Sequence, residues 1–102
     1  MYIAIISKKR LQEFIEEHPD ASASLNSWYV LIKRSVFNTP KEVIEIINSA
    51  DYVGNDRMVF NISGNKYRLI AKFKFHPEVQ RVYIKFIGTH SQYDKIPDIK
   101  NI

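Results

Sequence analysis

Near the C-terminus of this 102-residue chain, Thr89, His90, Tyr93 and Asp94 stand within six positions of one another, in the order THSQYD. Histidine is the side chain whose charge changes near neutral pH, so it suits proton transfer in either direction. A carboxylate four residues on can orient the ring, and a tyrosine can stack on a base or assist a transfer. Upstream, Arg68 and Lys72 lie on one side of an alternating stretch, YRLIAKFKF, where they would hold a phosphate and the charge that develops on it. Lys66, Lys74, Arg81, Lys85 and Arg57 complete the cationic set and read as contacts to a polyanion backbone. An acid or base, cations and an adaptable phenol suit proton transfer at a bound anion. The three histidines are scattered, and no acidic pair adjoins His90, so the pattern gives no metal-ligand set. No cofactor is expected, and SGNKYR is a hairpin turn rather than a glycine-rich nucleotide loop.

Local rivals to these roles stay open. His90 can cap or bond within its own turn, Tyr93 can pack its ring on a sheet, and Asp94 can be a turn or capping aspartate. Asn61 and Gly64 read as turn and strand chemistry, His18 and His76 as residues before prolines at element ends, and Trp28 as core.

The charge distribution bears on the lysines. Residues 1–56 carry six Lys or Arg against eight Asp or Glu, a balance of −2, whereas residues 57–102 carry nine against three, a balance of +6. Between Arg57 and Thr89 there are seven cations and one acid, Glu78. That asymmetry points to a polyanion or an acidic protein as partner.

The elements that position these residues follow from periodicity. Tyr2 to Ile6 is a short apolar strand, and Ser7 opens a helix with Leu11, Phe14, Ile15 and His18 on its buried side, closed by Pro19. A second helix is expected from about Ala21 to Phe37, on Leu25, Trp28, Leu31, Ile32 and Val36, forming a hairpin with the first. Thr39-Pro40-Lys41-Glu42 carries the signature of a third helix start. NSADYVGND reads as a polar connection with Gly54 and Asn55 as turn residues. From Arg57 the period changes to two, giving strands at 57–62, 66–75 and 81–86, with turns at Ser63-Gly64-Asn65 and His76-Pro77-Glu78. In the last strand Val82, Ile84 and Phe86 share the buried face, and Gly88 is read as a break after it.

The expected fold is α+β: an N-terminal strand and helical hairpin on one face of a largely antiparallel sheet with a C-terminal three-stranded meander, its uncovered face basic. Residues 1–102 read as a single domain. With no cysteine and no apolar run of membrane-spanning length, the default location is cytoplasmic and no membrane partner is expected.

Three segments together resemble the HigB-type toxins of bacterial type II toxin–antitoxin systems, in the wider RelE-like group: ISKKRLQEFIEEHPDA (6–21), VFNISGNKYRLI (59–70) and FIGTHSQYDKI (86–96). The resemblance covers nearly the whole chain. It implies an mRNA interferase, an endoribonuclease that cuts mRNA, typically on the translating ribosome. It also implies a cognate HigA-type antitoxin with a helix-turn-helix domain, through which DNA is contacted only indirectly. Two alternatives remain beside it: a non-catalytic RNA-binding or ribosome-binding module using the same basic face, and a toxin of RelE-like fold poisoning another target such as gyrase.

Overall fold

A computed structural model describes residues 2–75 and 78–102. The element order is β1 (Tyr2–Ile6), α1 (Lys8–Glu17), a 3₁₀ turn (Pro19–Ala21), α2 (Ser22–Arg34), α3 (Pro40–Ile46), β2 (Asp51–Gly54), β3 (Arg57–Ile62), β4 (Tyr67–Lys74), β5 (Val79–Thr89) and α4 (His90–Asp94). The strands form one sheet in the order β1-β5-β4-β3-β2. Only β1 against β5 is parallel; the other three pairs are antiparallel. The expected α+β layering is therefore present.

Alternation decides which face the helices cover. Met58, Phe60 and Ile62 of β3, Tyr67, Leu69, Ala71 and Phe73 of β4, and Val82 and Ile84 of β5 share one core cluster. Leu11 and Phe14 of α1 and Leu25, Trp28 and Ile32 of α2 pack into it. Each large apolar side chain so buried contributes roughly 1.5–3 kcal/mol, which secures the platform under β4 and β5. Trp28 meets Phe60 edge-on at 5.3 Å, as its reading as a core residue predicts.

Several expected boundaries move. The second helix stops at Arg34, which leaves Val36 beyond its end and 50% exposed, while Leu31, within the helix, is 38% exposed. A buried glutamine explains the stop: Gln80 accepts from Phe37 N at 3.0 Å through Oε1 and donates to Ser35 O through Nε2, holding the chain extended after the helix. Ser7 precedes α1, but its side chain makes no capping bond. Thr39 does cap α3, accepting from Glu42 N at 3.3 Å.

The expected three-stranded meander has a fourth member. Asp51–Gly54 pairs with β3 as an edge strand, where a polar connection was expected. Its side chains are exposed or half-buried, so no alternation marks it in the sequence. Gly54, Asn55 and Asp56 turn between the two strands with φ of 98°, 51° and 65°, the left-handed region that short polar residues and glycine tolerate. Of the expected His76-Pro77-Glu78 turn, His76 and Pro77 lie outside the described residues.

The last strand departs most from the simple pattern. It runs from Val79 to Thr89, straight through Gly88, and does not break there. Ala71 pairs with Ile84 but Ile70 pairs with Phe86, so Lys85 is an extra residue that shifts the register. One inserted residue exchanges the faces beyond it. Ile87 therefore packs on the core, and Phe86, expected there, points to the opposite face beside Ile70 and Arg68.

Candidate active site

Arg68 of β4 stands opposite Gly88 of β5, on the face away from the main helices. Because Gly88 carries no side chain, the strand end beside Arg68 can be roofed closely. A Cβ built on Gly88 would stand 2.6 Å from both Gln92 Oε1 and the Phe86 ring. Immediately afterwards Thr89 starts α4 with a reciprocal cap: its Oγ1 accepts from Gln92 N at 3.1 Å, and Gln92 Oε1 accepts from Thr89 N at 2.9 Å. His90 N also bonds to Lys66 O at 3.3 Å. Position and direction of this short helix are thus set by its first turn.

The cap brings His90 over Arg68. His90 Nε2 lies 3.1 Å from Arg68 Nη2, and Nδ1 lies 3.1 Å from Asp94 Oδ2, one helical turn on. A carboxylate accepts only and a guanidinium donates only. The bond set therefore assigns the proton of the neutral ring to Nδ1, donated to Asp94, and leaves the Nε2 lone pair to receive Arg68. The same Nη2 donates to Asn65 Oδ1 at 3.0 Å, and the guanidinium carbon sits 5.1 Å from the centre of the Tyr93 ring. Arg68 Nε is buried and has no partner among the described residues. Tyr93 in turn meets His90 and Phe86, each at 6.4 Å between ring centres.

His90, Arg68, Tyr93 and Asp94 thus meet at one point. Lys72 does not join them. It is four residues along β4, about 13 Å at the usual strand rise, with Ile70 between. Lys72 lies opposite Arg57 and Tyr83 instead. Its amine is held below the usual lysine range, chiefly by the charge of Lys74, then by burial and by Arg57 and Lys85. Lys72, with Lys74 and Lys85 close enough for their charges to act on it, therefore belongs to a second, cationic centre that favours an anion.

The remaining expected contacts are spread unevenly. Arg81 is exposed opposite Lys74 at the far end of the strand pair. Arg57 is only 6% exposed and is already engaged, donating to Asn55 O at 2.8 Å and to Ile102 O at 2.6 Å. The C-terminal residues return over this part of the sheet, and Asn55 also donates to Lys100 O at 2.9 Å. So the face expected to be uncovered is partly covered. Lys66 is drawn toward the helices, where it pairs with Asp20. Tyr67, buried at 2% exposure, donates its hydroxyl to the same carboxylate at 2.7 Å.

Three contributors escape a reading of the sequence: Asn65 as a bond partner of Arg68, Phe86 as the support of Tyr93, and Gln92 as the cap. Only Gln92 had a local signal, since T-x-x-Q is the capping-box spacing.

Residues 21–96 match the family model HigB_toxin, described as a RelE-like toxic component of a toxin–antitoxin system. An mRNA interferase HigB of Escherichia coli O6:H1 is 33% identical over 94 residues, spanning 90% of this chain and 89% of that protein. The mRNA interferase toxin HigB of Escherichia coli K12 is 30% identical over 93 residues, 88% and 86% of the two chains, and a Shigella flexneri relative matches equally. The fold is that of a RelE-like toxin. The chain belongs to the HigB family of such toxins.

Proposed function

We propose that this chain is the toxin of a toxin–antitoxin pair and acts as an endoribonuclease on mRNA, with His90 and Arg68 at the centre of its site. The observation that carries this reading is the pair of bonds on His90: Nδ1 to Asp94 and Nε2 to the Arg68 guanidinium. Family membership and the names of the relatives support it.

The chemistry runs on protein groups. The 2′-oxygen bonds to phosphorus as its proton leaves. The bond to the 5′-oxygen breaks as that oxygen gains a proton, leaving a 2′,3′-cyclic phosphate and a 5′-hydroxyl. His90 Nε2 carries one of these transfers once Arg68 turns from it to the phosphate, and Asp94 holds the ring in register. Arg68, fixed on Asn65 and beneath Tyr93, stabilises the charge that builds on the phosphorane. Tyr93 stacks on a base or assists the second transfer. Lys72, Lys74, Lys85 and Arg81 continue along the face as contacts for the rest of the strand or for ribosomal RNA, in keeping with action on translating ribosomes in the cytoplasm. A HigA-type helix-turn-helix antitoxin is the partner this reading implies.

Mapping new RNA 5′ ends shortly after induction tests it, beside His90→Ala and Arg68→Ala controls. Cuts inside translated frames are expected, reduced by at least about a hundredfold in both variants, the size of a general acid–base contribution. Toxicity with no new ends would instead make the basic face a binding surface or direct the toxin elsewhere.

A further inference from the structure

The turn between β3 and β4 touches two parts of the molecule at once. On the helix side, Ser63 N donates to Ser24 Oγ of α2 at 2.9 Å, and Ser63 Oγ donates to Asp20 O of the 3₁₀ turn at 3.4 Å. Asp20 then holds the far end of the turn with both oxygens of its carboxylate. Oδ2 pairs with Lys66, and Oδ1 accepts from the Tyr67 hydroxyl at 2.7 Å. On the other side, the same short segment carries two of the bonds that hold the candidate site. Asn65 Oδ1 accepts from Arg68 Nη2 at 3.0 Å, and Lys66 O accepts from His90 N at 3.3 Å. Tyr67 also stands opposite Thr89, the residue that caps α4.

We infer that Asp20 is a positioning residue for RNA cleavage, fixing residues 63–67 from the helix side and so setting where Arg68 and His90 stand; the inference rests on the nuclease reading above. Backbone conformation is the first reason. Ser63 and Gly64 have φ of 54° and 68°, a region uncommon for serine and only one of several open to glycine. A turn of this kind keeps a single shape only where its surroundings impose it. The Asp20 side chain supplies two of those restraints, one through Lys66 and one through Tyr67.

Alternation along β4 is the second reason. Tyr67 lies in the core cluster under the helices, so its neighbour Arg68 faces the opposite side of the sheet. A shift at Tyr67 therefore reaches Arg68 directly. Among the described residues Asp20 bonds to neither Arg68 nor His90, so its influence on them passes through this segment.

The experiment measures single-turnover cleavage of ribosome-bound mRNA, and affinity for RNA, in the wild type and in variants. Asp20→Ala is expected to slow cleavage about tenfold with affinity unchanged, less than the roughly hundredfold that a misplacement of ~1 Å can cost. Asp20→Asn keeps an acceptor for Tyr67 but not the charge facing Lys66, and should fall between. Asp20→Ala combined with Asn65→Ala should lose less than the product of the two single losses, because Asp20 works partly through Asn65. Thr39→Ala removes the cap of α3, controls for general loss of stability, and should cut at the wild-type rate. Ring-nitrogen NMR of His90, assigned against His90→Ala, gives a readout independent of cutting. In Asp20→Ala the neutral ring should move from the Nδ1-protonated form toward a mixture of tautomers, since Arg68 no longer donates steadily to Nε2. Wild-type cutting by Asp20→Ala would overturn the inference and leave the nuclease standing. Equal losses in Asp20→Ala and Thr39→Ala would reduce the effect to general stability, also overturning it. Weaker RNA binding with an unchanged cleavage rate would place Asp20 in binding and overturn it likewise. If the wild type makes no cuts, the nuclease reading falls and the inference falls with it.

Discussion

His90 is held at both ring nitrogens, and the two bonds do different work. The one to Asp94 sets the tautomer and the plane of the ring; the one to Arg68 exposes a basic nitrogen beside a cation. Removing the orienting carboxylate should therefore be milder than removing the ring. Asp94→Ala is expected to slow single-turnover cleavage by less than His90→Ala while RNA affinity stays unchanged, which rapid-quench kinetics alongside a binding titration would show. Equal losses would place Asp94 in the proton transfers themselves. Arg68 bonds to Asn65 and His90 through Nη2 and lies against Tyr93, so Arg68→Lys cannot replace it: a point-charge ammonium lacks the planar guanidinium that lies against the Tyr93 ring.

At the scale of elements, the site depends on one inserted residue and one missing side chain. The insertion at Lys85 turns Phe86 out to support Tyr93, and Gly88 leaves room for Phe86 and Gln92 to close over it. Gly88→Ala should force both apart, at a cost of about 1–3 kcal/mol in unfolding free energy. Cleavage should fall further than that stability loss explains, because the cap of α4 carries His90. Denaturant titration and cutting assays on the same preparation would separate the two effects. A second junction lies on the helix side. Asp20 is held below its ordinary value of 3.8, first by the bond from Lys66 and then by that from Tyr67. Tyr67 is pushed above its ordinary 10.0, chiefly by bonding to Asp20, and Lys66 is pushed above its own usual range by the same carboxylate. A lowered carboxylate adds stability above its unfolded value and loses it as pH falls through the folded one; a raised tyrosine or lysine adds stability below its unfolded value and loses it as pH rises. The melting-temperature gap between the wild type and Asp20→Ala should thus be widest at neutral pH, narrow below about pH 4 and narrow again above about pH 10. A gap that stayed flat across that range would show that the triad adds nothing electrostatic.

Over the whole molecule, the basic half is not one continuous anion site. Of the seven cations between Arg57 and Thr89, Arg68 makes one centre and Lys72, Lys74 and Lys85 a second, Arg81 stands exposed at the far end of the strand pair, and Arg57 and Lys66 are committed to other partners. Lys72→Gln and Lys85→Gln should weaken RNA binding alike for all sequences and flatten the salt dependence by roughly 0.7 in log–log slope for each phosphate no longer neutralised. Arg57→Gln should leave that slope unchanged. Anisotropy titrations across a salt series would read both, and a flatter slope for Arg57→Gln would contradict the placement of its side chain.

What the chain determines by itself is what short-range chemistry controls. Helix-period runs at Leu11–Phe14 and Leu25–Ile32, strand alternation from Met58 to Phe73, the Thr39 cap and the SGN turn are all legible, because each depends on neighbours a few residues away. Part of the group gathered at the candidate site is legible too, since His90, Tyr93 and Asp94 share one short segment and Arg68 faces outward by alternation, but Lys72, expected with them, stands apart. The tertiary structure decided the rest. Whether a cation on the basic half is available depends on partners 45 or 46 residues distant, as Arg57 with Ile102 and Lys66 with Asp20 show. The face taken by Phe86 depends on pairing between β4 and β5, where one unpaired residue reverses every side chain after it. No periodicity within β5 reports that, because the register belongs to two strands rather than to either one.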